Sequence, residues 1–81
     1  MSREPLEHPG IMIKGIFLEK FQMNTQAAAL VLKIREPILD LLFQGLLPIS
    51  LEFADKIGPA LNTRAEMWLD VQAQYYESQL D

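Results

Sequence analysis

Apolar residues recur at intervals of three and four along almost the whole chain, and no stretch alternates apolar with polar residues at the period of a strand. The spacing predicts an all-α fold. Short punctuation divides it into about five short helices. His8-Pro9-Gly10 precedes the first, with a proline whose fixed φ suits an opening turn. Asn24 and Ser50 are placed to cap the second and fourth. The third opens near Pro37 and stops at Gly45, a residue suited to a left-handed helix end. Thr63-Arg64-Ala65-Glu66 reads as a capping box for the fifth.

Each segment marks an inward face. These are Ile13, Ile16, Phe17 and Phe21; then Ala28, Ala29 and Leu32; then Leu39, Leu42 and Phe43; then Phe53, Ala54, Ile57 and Leu61; and finally Met67, Trp68, Val71 and Tyr75. Met12, Met23 and Met67 read as gap fillers in a small core. The tail Glu77-Ser78-Gln79-Leu80-Asp81 is polar enough to fray. Residues 1–81 are expected to form a single domain, with no linker and no repeat.

With no cysteine, neither a disulfide framework nor a thiolate metal site is available. Met1-Ser2-Arg3-Glu4-Pro5 lacks the order of a signal peptide, and no apolar run is long enough to span a bilayer, so a cytoplasmic protein without a membrane partner is expected. Seven basic against eleven acidic residues leave a formal charge of −4, the wrong overall sign for an electrostatic nucleic-acid footprint.

Between Met23 and Ser50 the caps and helix lengths describe a helix-turn-helix, centred on residues 24–45. The landmarks around it extend further: His8-Pro9-Gly10 with Phe17-Leu18-Glu19, Ala29, Gly45 followed by Ile49-Ser50, Ala54 with Leu61, Thr63, Glu66-Met67-Trp68-Leu69, and Gln72 with Tyr75. Together they resemble the HigA-type antitoxins of the XRE helix-turn-helix class, from His8 to about Tyr76. The resemblance implies a lambda-repressor-like domain that binds operator DNA as a homodimer, represses its own operon and neutralises a RelE/HigB-like toxin.

Several residues depart from that family's pattern. Arg35, Glu36, Pro37 and Ile38 replace a small polar residue, basic residues and a threonine at the start of the reading helix. Asp40 and Gln44 stand where asparagine is favoured, Leu46 and Leu47 where a basic pair is usual, and Lys33 where a glycine makes the turn. Gly58-Pro59 should kink or split the fourth helix. Lys33, Arg35, Glu36 and Asp40 cancel in charge, so any DNA binding through Lys33, Arg35 and Gln44 is expected to be weak and steeply salt-sensitive. A carboxylate at Glu36 or Asp40 can still accept from cytosine N4.

Leu39, Leu42 and Phe43 read as core. Ile38, Leu41, Leu46 and Leu47 fall at positions that usually face outward, and make a candidate interface for a partner or a second copy. Leu47→Glu is then expected to weaken association without loss of helix.

Other residues read as structural. His8 lacks the ligand set of a zinc site, and Ser50 and Thr63 have no base beside them. Glu52 with Asp55 and Glu66 with Asp70 lie on solvated faces, with no cleft to raise a pKa. No catalytic residue, cofactor or metal site is expected, and an enzyme is not. Two classes remain: a DNA-binding regulator and antitoxin, or a helix-turn-helix turned interaction module that holds a protein through its third helix.

Overall fold

The computed structural model describes residues 7–80; the residues Met1–Pro5 and Asp81 named above lie outside them. Five helices account for most of it: α1 (Pro9–Lys20), α2 (Thr25–Leu32), α3 (Glu36–Phe43), α4 (Leu51–Ala60) and α5 (Ala65–Ser78). There is no strand among the described residues.

The helix starts follow from side-chain acceptors. His8 Nδ1 accepts from the Gly10 amide at 2.9 Å, Asn24 Oδ1 from Ala27 at 2.9 Å and Ser50 Oγ from Phe53 at 3.1 Å. Each satisfies one amide that the helix itself leaves without a partner. The ends follow from left-handed residues: Gln22, Lys33 and Asn62 at φ 54°, 58° and 58°, and Gly45 at 79°. Only Gly45 holds that conformation without a Cβ penalty.

The core joins all five helices through Ile13, Phe17, Ala28, Ala29, Leu32, Leu39, Leu42, Phe43, Ala54, Ile57 and Trp68, with Ile34 and Ile49 from the loops. Phe53, Leu61, Ile16 and Met23 pack partly buried against it. Helix α1 lies on α3 and α5, α2 on α3 and α4, and α4 along α5. Gly10 marks the closest approach, since a Cβ there would collide with the Leu42 carbonyl. The His8-Pro9-Gly10 landmark is thereby explained as cap, first turn and contact.

Four expectations are corrected. Phe21 is the C-cap of α1 and 44% exposed, because it lies past the last helical residue, Lys20. Met12 and Met67 are likewise exposed, on the outer faces of their helices, rather than filling the core. Thr63 does not cap α5: its hydroxyl donates to the Gly58 carbonyl and accepts from Trp68 Nε1 at 2.8 Å, and Arg64 takes the N-cap position without a side-chain bond. The buried indole N–H needs a partner more than the exposed helix start does. Pro59 does not split α4, because it stands in the last turn, where the Leu61 amide rejoins the Ile57 carbonyl at 3.1 Å. Helix α5 ends at Ser78, inside the tail, with Ser78 Oγ donating to the Tyr75 carbonyl and the Gln79 amide to the Tyr76 carbonyl.

Candidate nucleic-acid interface

Helices α2 and α3 pack on one another across a three-residue turn, Lys33-Ile34-Arg35. Ile34 anchors the turn in the core, while Lys33 and Arg35 on either side point to solvent. Lys33 adopts the left-handed region, and its amide bonds the Ala29 carbonyl. Its own carbonyl, one of the acceptors that end a helix unpartnered, accepts from Lys56 Nζ at 2.9 Å. Lys56 also lies 3.6 Å from Glu52 one turn back along α4. The fourth helix therefore holds the turn, a relation between residues 23 apart that no local pattern discloses.

Helix α3 buries Leu39, Leu42 and Phe43 and presents Glu36, Pro37, Asp40, Leu41 and Gln44 outward. No lysine or arginine occurs from residue 36 to residue 55. Gln44 Nε2 donates to Asp40 Oδ2 at 2.7 Å, so the candidate reading amide is held by a carboxylate one turn earlier. That pair was open to a sequence reading, because an acid and an amide four apart share a helix face. Glu36 sits in the first turn, where the helix dipole favours its charge. Lys33 and Arg35 stand exposed at the turn before α3, and Gln44 stands exposed at the other end of the helix.

The apolar candidates divide. Ile38 and Leu47 are half-buried against the core, whereas Leu41 is 40% and Leu46 65% exposed. The Gly45–Ile49 segment that carries Leu46 is fastened to α5: Gln72 donates Nε2–H to the Ile49 carbonyl at 2.8 Å and accepts the Ile49 amide on Oε1. Gln72 is the residue that sequence reasoning named only as a landmark.

His8 is buried, with the rings of Tyr75 and Tyr76 5.3 and 5.9 Å away. With Nδ1 accepting from Gly10, Nε2 carries the proton and donates to the Tyr76 hydroxyl at 3.2 Å. Burial lowers the imidazole pKa below its ordinary 6.5, so the ring is neutral at pH 7. The residue is a cap and a packing element. Among the described residues no group of acids or histidines is placed to hold a metal ion, and no helix is long and apolar enough to cross a membrane. A groove of about 500 Å³ runs along the outer side of α1, lined by Ile11, Met12, Lys14, Gly15 and Leu18 among others, and it shares no residue with α2 or α3.

No family model matches the chain, and no curated protein does. Solved structures do. The Pseudomonas aeruginosa antitoxin HigA, determined with the higBA promoter, is 27% identical, with a TM-score of 0.83 over 91% of this chain and 80% of that one. A Pseudomonas aeruginosa protein determined with its 18 bp operator DNA is 27% identical, with a TM-score of 0.84 over 96% and 81%. An addiction-module antidote protein of the HigA family from Coxiella burnetii shares the fold, at 21% identity and a TM-score of 0.87 over 94% and 83%. The similarity to HigA antitoxins that the landmarks suggest therefore extends over more than nine tenths of the chain.

Proposed function

We propose that this protein is a cytoplasmic HigA-like regulator and antitoxin that docks α3 in the major groove of operator DNA as a homodimer. The observation that carries the reading is the outward face of α3 on a helix-turn-helix whose fold matches, at a TM-score of 0.84, a protein determined on its operator. Lys33 and Arg35 at the turn contact phosphates, and Gln44 faces base edges. With two cations per protomer at the docked surface and two carboxylates beside them, electrostatic affinity is low. A RelE/HigB-like toxin is the protein partner. Gel shifts of the full chain with the DNA upstream of its own gene test this reading, as does co-purification with the product of the adjoining gene.

A second reading is favoured by one observation, the exposure of Leu41 and Leu46 beside a segment pinned to α5. Here Ile38, Leu41, Leu46 and Leu47 form a contact with a partner protein or a second copy. Both readings allow a dimer, so the place of the contact separates them, read by sedimentation over a range of concentrations. A DNA-free dimer dissociated by Leu46→Glu supports the second.

A further inference from the structure

The outward face of α3 is short of donors and rich in acceptors, and this determines which base edges it can satisfy. Between Glu36 and Gln44 the exposed polar groups are two carboxylates and one amide; the remainder is the apolar Pro37 and Leu41. One N–H of the amide is committed to Asp40 at 2.7 Å. That bond fixes the orientation of Gln44, leaving its carbonyl oxygen and a single N–H free, while Asp40 keeps its second oxygen free.

In the major groove guanine shows only acceptors, adenine an N6 amine beside N7, cytosine an N4 amine, and thymine an acceptor beside a methyl group. A guanine edge placed against this face meets two carboxylates that repel it and one available donor. An adenine edge suits the oriented amide, N6–H to the carbonyl and N7 to the free N–H. The free Asp40 oxygen accepts from a further exocyclic amine, and Leu41 and Pro37 supply the surface that a thymine methyl requires.

We infer that the Asp40–Gln44 pair makes this protein a reader of exocyclic amines and thymine methyls, so that its half-site places adenine against Gln44, adenine or cytosine against Asp40, and excludes guanine from the strand they contact. Asp40 is the positioning residue and Gln44 the reader. The inference rests on the proposal that α3 enters the major groove. Arg35, preceding the helix at its turn, is left to the phosphates, so low affinity and definite sequence preference coexist.

Selection of the full-length protein on a random duplex library tests it, followed by binding of the selected site with single-atom changes. A half-site with adenine against Gln44 and no guanine on the contacted strand is expected, with affinity falling about tenfold or more when that adenine loses its N6 amine by replacement with purine. Replacing the contacted thymine by uracil should cost less, and that cost should vanish in Leu41→Ala. Gln44→Ala should abolish the sensitivity to the N6 amine, and Asp40→Ala should blunt it while total affinity rises through loss of a repelled charge; both side chains are exposed, so helical content by circular dichroism stays unchanged. A selected site with guanine on the contacted strand, or a guanine preference removed by Arg35→Ala, overturns the inference and leaves DNA binding standing. Failure to retain any duplex overturns both.

Discussion

Gln72 on α5 pairs with the backbone of Ile49 through both ends of its side-chain amide, donating at 2.8 Å to the carbonyl and accepting the amide hydrogen. One side chain thereby replaces a missing stretch of regular structure between α3 and α4. Gln72→Leu leaves a part-buried donor and acceptor without partners, and should lower stability by about 1–3 kcal/mol. Chemical denaturation measures the loss. Amide exchange should quicken at Ile49 before it does in the helices.

Lys33 combines two opposed effects. Its left-handed backbone costs about 1 kcal/mol, while its ammonium stands at the turn next to α3. Lys33→Gly should raise the unfolding free energy by up to about 1 kcal/mol and lower DNA affinity at the same time. The Lys56 bond is made to the backbone carbonyl and survives the substitution. Denaturant unfolding and anisotropy titrations on one preparation give both signs.

The neutral His8 cap makes stability depend on pH. The folded-state pKa lies below the unfolded value near 6.5, so the unfolded chain binds the proton more readily. The contribution is complete above pH 6.5 and lost as pH falls below it. Protonation also removes the Nδ1 acceptor from the Gly10 amide. Thermal unfolding should show a fall in midpoint from pH 7.5 to 5.5 that is smaller in His8→Asn, which retains a capping acceptor without the titration.

Leu46 is a cleaner probe of association than Leu47. Leu47 packs against the core, so a charge there threatens the fold itself, whereas Leu46 is 65% exposed. If the apolar patch is an interface, Leu46→Glu should weaken self-association at least tenfold, since a charge buried among apolar groups costs several kcal/mol. Unfolding in the monomer range should move by less than about 0.5 kcal/mol, as for other surface substitutions. Sedimentation equilibrium with a parallel melt decides it.

What the sequence discloses is local. Asn24 and Ser50 cap as their residue types require, Gly45 ends α3, and the apolar stripes locate Phe17, Leu39, Ile57 and Trp68 in one core. The capping box at Thr63 misleads because the pattern is short and a distant demand, the Trp68 indole, competes for the same hydroxyl. Phe21 and Met12 mislead because α1 is apolar on every side, and periodicity then does not say which face is covered. Lys56 on the turn, Gln72 on Ile49 and His8 on Tyr76 join residues far apart in sequence, and only the packed helices bring them together.

The most direct test of the regulator reading is the affinity of the full chain for the DNA upstream of its own gene, followed by fluorescence anisotropy against salt and against a scrambled duplex of equal length. The account predicts sequence-dependent binding whose log–log salt slope is roughly −4, for a dimer that uses Lys33 and Arg35 from each protomer. Arg35→Ala should weaken binding to both duplexes alike and flatten the slope by about 2. Equal affinity for the two duplexes, or no binding even at low salt, would contradict it.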